Sequence, residues 1–402
     1  MPQLQRVLTN DWEPSAYDSF RADHPHAQLH LWSEAPVAED PDYLSRQLIT
    51  YIGNKRALLG NIGRAVEQVK QRLGKSQLRV LDAFTGSGVV SRYLKAHASL
   101  LITNDTEDYA AVASRCYLRN RSTVDLASVS QMVEQFNEQI ACDQHPPSFI
   151  EELYAPRDEA CITRDDRVFY TKSNARRLDT YRRLIETAPP DMRDLLLGPL
   201  LSEASIHANT AGVFKGFYKD RDTGIGQFGG SGSDALFRIK GEIRLMTPVL
   251  SQFECEYEVL QDDANVIARH LRNLDLVYID PPYNQHPYGS NYFMLNLLVN
   301  YERPTQVSRV SGIPENWRRS GYNVRAQALP LMEQLLHSLD SRFLLISFNN
   351  EGFISPLEMR TLLKTIGTVE VMETKYNAFR GSRNFDNRPI HVTEQLFLVE
   401  RR

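Results

Sequence analysis

The sequence predicts an α/β protein built on a doubly wound sheet, interrupted once by a long helical insertion. Three observations carry that reading. Short apolar runs ending in a carboxylate recur, each followed by a turn and a helix-period segment, across 45–120 and again from 256 onward. A glycine loop, Ala83-Phe84-Thr85-Gly86-Ser87-Gly88, separates the first of these runs from its helix. Between about 121 and 255 the strand-turn-helix rhythm stops and the pattern is mainly helical. The chain is therefore read as an N-terminal arm (1–44), an α/β domain formed by 45–120 and 256–402, and an inserted domain at 121–255.

The composition excludes several classes. The 402 residues are 42% hydrophobic and 24% charged, which suits a globular chain rather than a disordered one. No apolar run approaches the roughly 18 residues of a membrane span, and the N-terminus lacks a signal-peptide pattern, so a cytoplasmic protein with no membrane partner is expected. Cys116, Cys142, Cys161 and Cys255 are scattered without metal-ligand spacing, and no metal is expected. With a net charge of −4, nucleic-acid binding would need a local basic groove.

In chain order, residues 1–44 hold Trp12, Tyr17, Phe20, Trp32 and Tyr43 without sustained period and read as an arm packed by its aromatics. Leu48–Ile52 is a short apolar segment that meets Gly53, after which Leu58, Leu59, Ile62, Val66, Val69 and Leu73 keep helical spacing. Lys55 and Arg56 fall in the first turn of that helix, where positive charge opposes the helix dipole unless an anion is near. Leu78–Asp82 reads as a strand, and the glycines after it let the backbone approach a ligand at the strand's carboxyl end. Ser91 stands where the dinucleotide fingerprint needs its third glycine, which disfavours nicotinamide or flavin. The next strand, Leu100–Thr103, ends in Asn104-Asp105, and an acid at this distance from the glycines suits a ribose diol.

Within the insertion, Arg176, Arg177, Arg182 and Arg183 read as a solvated helix face. Asn209–Gly230 interleaves glycines, aromatics, amides and cations, as expected of a loop or hairpin lying along a sugar-phosphate backbone. The strand Tyr257–Leu260 leads to Asp262-Asp263, placing Asp263 beside Asp105 and the glycine loop in one crevice. Leu276–Ile279 is an apolar strand ending in Asp280-Pro281-Pro282-Tyr283. Neither proline donates a backbone hydrogen bond, so the strand stops and leaves carbonyls free. The Asp280 carboxylate and the Pro281 carbonyl can accept both hydrogens of an exocyclic amine while Tyr283 offers a ring for stacking. Asp280 is expected at a solvent-facing strand end with little packing to lose, and Asn291 is expected to cap the helix Tyr292–Tyr301. Arg342–Phe348, Thr368–Glu373 and Thr393–Glu400 read as the closing strands, the last two joined by a basic loop containing Arg380 and Arg383.

With these motifs in order, the sequence resembles the Dam-like (alpha) group of S-adenosylmethionine-dependent DNA adenine-N6 methyltransferases over about 45–402. Tyr51-Ile52-Gly53-Asn54-Lys55 looks like the group's N-terminal cofactor motif, with Asn54 in place of a second glycine. Asp82-Ala83-Phe84-Thr85-Gly86-Ser87-Gly88 looks like its methionine-binding loop. Asp105 and Asp263 fall at its ribose and adenine acids, and Asp280-Pro281-Pro282-Tyr283 is identical to its catalytic tetrapeptide. The resemblance implies a Rossmann-like, seven-stranded, mostly parallel sheet with the last strand antiparallel, and an inserted target-recognition domain.

On that resemblance Asp280, Pro281, Pro282 and Tyr283 are the catalytic residues. Tyr51, Gly53, Lys55, Asp82, Phe84, Gly86, Gly88, Asp105 and Asp263 hold S-adenosylmethionine, while Asn209, Lys215, Lys219, Arg221, Arg380 and Arg383 contact duplex DNA. The expected reaction is methylation of N6 of an adenine flipped from the duplex, in company with a cognate restriction endonuclease or alone. The alternatives are the same chemistry on RNA, and a non-catalytic nucleic-acid-binding module on a methyltransferase core; competition between DNA and RNA substrates, and a cofactor titration, separate them.

Overall fold

The computed structural model describes residues 38–142, 146–230, 235–349, 352–377 and 391–402. Most of the N-terminal arm, together with Arg380 and Arg383, lies outside the described residues. Among the described residues, fourteen α-helices and seven strands follow one another as α1 (Pro41–Ser45), α2 (Leu59–Leu73), β1 (Leu78–Asp82), α3 (Val89–Leu94), β2 (Ala98–Asn104), α4 (Asp108–Tyr117), α5 (Leu126–Cys142), α6 (Phe149–Tyr154), α7 (Lys172–Thr187), α8 (Pro190–Ile206), α9 (Leu236–Lys240), β3 (Glu256–Leu260), α10 (Ala264–Ile267), β4 (Leu274–Ile279), α11 (Tyr288–Asn291), α12 (Phe293–Asn300), α13 (Arg325–Ser338), β5 (Ser341–Asn349), α14 (Pro356–Ile366), β6 (Gly367–Asn377) and β7 (His391–Arg401). Among the described residues no helix is long and apolar enough to cross a membrane.

The strands form one sheet in the order β3-β2-β1-β4-β5-β7-β6, parallel except for β7, which runs antiparallel to both neighbours. The seven-stranded, mostly parallel sheet expected from the sequence is the one observed. Every residue of β4 is buried, which explains the apolar run Leu276–Ile279; its one charged residue, Asp275, pairs with Lys75 and the Arg79 amide. Side chains alternate between two cores. Leu81, Val277, Ile279, Leu344 and Ile346 pack under α10, α13 and α14, while Val80, Leu276, Tyr278, Phe343 and Leu345 pack under α2 and α3.

Register decides which strand ends meet. Asp82 pairs with Tyr278, two residues short of Asp280, so the β1 and β4 acids emerge at the same edge. The sheet reverses its winding between β1 and β4, the point where doubly wound sheets open a crevice. Because β7 is antiparallel, its early residue Glu394 lies opposite Asn349, at the carboxyl end of β5.

Helices α5–α8 pack with α4 and α12 around a third core. Gly198 of α8 lies so close to α4 that a Cβ there would stand 2.7 Å from the Cys116 sulfur. The arginines of α7 are not a solvated face. Arg176 pairs with Glu151 at 2.6 Å, Arg177 pairs with Glu242, Arg182 is buried and donates to the carbonyls of Leu298 and Val299, and Arg183 donates to the Pro146 carbonyl. Periodicity alone could not show this, because their partners come from distant segments. Asn291 does not cap α12: it ends α11, and its carbonyl accepts from the Phe214 amide at 2.7 Å.

The Asn209–Gly230 loop folds back on itself, with Lys219 bridged to Gly226. Asn209, expected on DNA, is instead fully buried. Its amide donates to the carbonyls of Val168 (2.7 Å) and Gln227 (2.8 Å), and its carbonyl accepts from Gly229 N–H. It ties the two ends of the loop together. Asn209→Ala would leave three buried backbone groups unpaired and should destabilise the protein by about 2–3 kcal/mol. The check is the denaturant midpoint; an unchanged midpoint would reject the tie.

Candidate active site

The carboxyl ends of β1, β2, β3 and β4 open into one pocket. Ten of the residues singled out in the sequence line it: Tyr51, Gly53, Lys55, Asp82, Phe84, Gly86, Asp105, Asp263, Asp280 and Pro282. Gly88 instead begins α3 in the left-handed region at φ 75°, and Tyr283 stands behind the lining, its ring edge-on to Phe348 at 6.0 Å. Lys215, Lys219 and Arg221 are exposed on the Asn209–Gly230 loop.

The pocket floor is tied together by Asn104. Its amide donates to the carbonyls of Ala83 and Asp262, and its carbonyl oxygen accepts from Asp262 N–H, linking three strand ends. The Asp105 carboxylate accepts from the amides of Gly86 (2.7 Å) and Glu107 (3.0 Å), so it also shapes the glycine loop. Gly86 is required twice over: its φ is +54°, and a Cβ would stand 2.9 Å from the Tyr51 ring. Tyr51 in turn stacks on Tyr288 and Tyr292, with centroids 5.0 and 4.7 Å apart. Asp263 faces the pocket with one oxygen committed to capping α10 through Asn265 N–H.

Six carboxylates (Asp82, Asp105, Glu107, Asp262, Asp263 and Asp280) line the pocket against three cations (Lys55, Arg318 and Arg319). Burial pushes Asp82 up to about 7, although the Ser91 hydroxyl donates to one of its oxygens and the Phe84 backbone N–H donates to the carboxylate as well. Burial likewise pushes Glu107 up to about 7, with Asp105 adding to the effect. The sequence reading passed over Glu107, Asn104, Arg318 and Arg319. Only the first two adjoin a motif, so the arginines left no local signal.

Asp280 is not at a solvent-facing strand end. Lys55 Nζ lies 3.0 Å from its carboxylate and 3.2 Å from that of Glu394, and Lys55 and Glu394 are both buried. The anion expected near the first turn of the lysine helix is thus part of the protein. The Ser347 hydroxyl donates to Glu394 at 2.6 Å. Burial alone would push the Lys55 ammonium down; the two carboxylates outweigh it and hold the lysine well above its usual range. Burial pushes Asp280 up to about 6, opposed by Lys55 and reinforced by Glu394. Lys55→Met would leave two buried carboxylates facing each other and should cost about 3–5 kcal/mol of stability. Urea unfolding measures this, and wild-type stability would mean that the ammonium does not hold the strand ends together.

Known proteins share this arrangement of chain. A model of the D12 class N6 adenine-specific DNA methyltransferases matches residues 51–361. The chain is 27% identical over 366 residues to the type II methyltransferase M.NlaIII of Neisseria lactamica, spanning 88% of this chain and 99% of that one. It is 25% identical to the type II methyltransferase M.CviAII of Paramecium bursaria Chlorella virus 1, spanning 87% and 98% of the two chains. Modification methylase StsI of Streptococcus sanguinis is 26% identical, and there the match takes in 88% of this chain but 52% of the methylase. With the match running from the Tyr51 loop through the Asp280 strand and on into α14, the chain belongs to the D12 class N6 adenine-specific DNA methyltransferases.

Proposed function

We propose that the pocket binds S-adenosylmethionine and that Asp280, with the Pro281 carbonyl, presents N6 of an adenine flipped from duplex DNA to the methyl group. The observation that carries this reading is the acidic pocket ending at Asp280. Its surplus of carboxylates, six against three cations, suits a ligand bearing a sulfonium and an ammonium. Gly86 and Phe84 would cradle the methionine part, and Asp105 and Asp263 the ribose and adenine. When bound, S-adenosylmethionine supplies an electrophilic methyl group on sulfur. Asp280 and the Pro281 carbonyl accept the two N–H groups of N6 and localise its lone pair. N6 would take the methyl group in exchange for that group's bond to sulfur, and the amine's extra proton would leave to solvent. Tyr283, backed by Phe348, walls the base. Lys55 keeps Asp280 aimed and ionised near neutral pH, a positioning contribution.

The helices and loops of 121–255 would form the target-recognition side of a DNA cleft, with Lys215, Lys219 and Arg221 facing phosphates. The relatives named as type II methyltransferases support a partnership with a restriction endonuclease in the cytoplasm.

Two measurements test the chemistry. Mass spectrometry of nucleosides from methylated DNA should find N6-methyladenine; N4-methylcytosine as the sole product would overturn the base assignment. Single-turnover methylation should slow as pH falls through about 6, because Asp280 is then protonated and can no longer accept both as anion and as orienting group. A rate flat from pH 5 to 8 would remove Asp280 from that role.

The loop is tested separately by the salt dependence of DNA binding. Neutralising Lys215, Lys219 or Arg221 in turn should reduce the slope of log affinity against log salt by about one for each phosphate contact. Wild-type slopes in all three variants would place the loop away from DNA.

A further inference from the structure

Phe237 on α9 is 94% exposed, more than any other large hydrophobic among the described residues. The helix beneath it is firmly held. Ile239 is fully buried, Asn174 donates to the Gly241 carbonyl at 2.8 Å, and the Arg238 guanidinium donates to the carbonyls of Ile206 and Ala208 at the foot of the Asn209–Gly230 loop. Phe237 is thus an apolar ring displayed from a fixed support. Lys240, exposed one turn further on the same helix, has its Nζ 6.0 Å from the centroid of Phe228 of the loop, and within the loop Lys219 Nζ lies 5.1 Å from that of Phe217. Lys215 and Arg221 are exposed and make no ion pair with a described residue, while Asp222 is the exposed carboxylate among them.

An exposed ring on a helix that also carries an exposed lysine, and that is tied to the foot of a loop with exposed cations, matches a polyanion that carries flat apolar faces. Resting on the placement of the Asn209–Gly230 loop against DNA, we propose that Phe237 is a DNA contact that inserts against the base stack beside that loop. Its contribution is apolar, so it strengthens binding without adding to the salt dependence. The near-complete exposure of the side chain also means that its removal leaves the fold intact.

The test compares the full-length protein with its Phe237→Ala and Phe237→Leu variants on a duplex carrying a target site. Phe237→Ala should bind roughly tenfold more weakly at every salt concentration, with the slope unchanged, as expected when most of a ring's apolar contact is lost. Phe237→Leu should recover much of the affinity. Melting temperature and S-adenosylmethionine affinity should stay at wild-type values. Wild-type DNA affinity in Phe237→Ala would overturn the proposal. So would a Phe237→Ala variant that loses only self-association in sedimentation, which would assign the ring to a second copy of the chain. If the loop variants keep wild-type slopes while Phe237→Ala weakens binding, the loop placement falls and the ring contact stands; the reverse pattern separates them the other way.

Discussion

The ammonium of Lys55 lies between the carboxylates of Asp280 and Glu394, and much of the molecule is arranged to allow it. Its three members come from the loop before α2, the end of β4 and the start of β7. Burying two carboxylates side by side is costly unless a cation compensates, and burying that cation is costly without them. The result is mutual dependence between the Asp280 strand end and the two segments that supply Lys55 and Glu394. The same burial lifts Asp280 toward neutrality while Lys55 pulls it back, leaving a carboxylate that changes charge close to working pH.

The pocket beside this cluster follows a second constraint. Parallel strands deliver their carboxyl ends to one edge, and this chain ends three of them in Asp82, Asp105 and Asp280. Such a concentration of acid needs restraints. Asn104 holds three strand ends by side-chain hydrogen bonds, and Asp105 is braced by the backbone amides of Gly86 and Glu107.

The insertion uses its cations in two ways. Its internal arginines are consumed as staples, Arg182 on carbonyls of α12 and Arg176 on Glu151. Lys215, Lys219 and Arg221 stay exposed on the Asn209–Gly230 loop, whose two ends are joined by Asn209 and which is anchored to α11 through the Phe214 amide.

Strand and turn chemistry were legible because they are local. The apolar run before Asp280, the two prolines after it and the glycines after Asp82 state their conformations within a few residues, and so the sheet and the acid-bearing part of the pocket lining could be read from the chain. Partnership is not local. Asn209 reads as a polar loop residue and is a buried tie; the α7 arginines read as solvated and are staples; Asn291 reads as a cap and offers its carbonyl elsewhere. Glu394 lies in the last strand, and it reaches Lys55 only because β7 runs antiparallel and brings its first residues to the carboxyl edge. The sequence by itself determined the order of strands, the acid-ended turns and the tetrapeptide, since these follow from backbone preference and hydrophobic period. Only the tertiary structure decided which charges are paired, because pairing depends on register and burial between segments far apart in the chain.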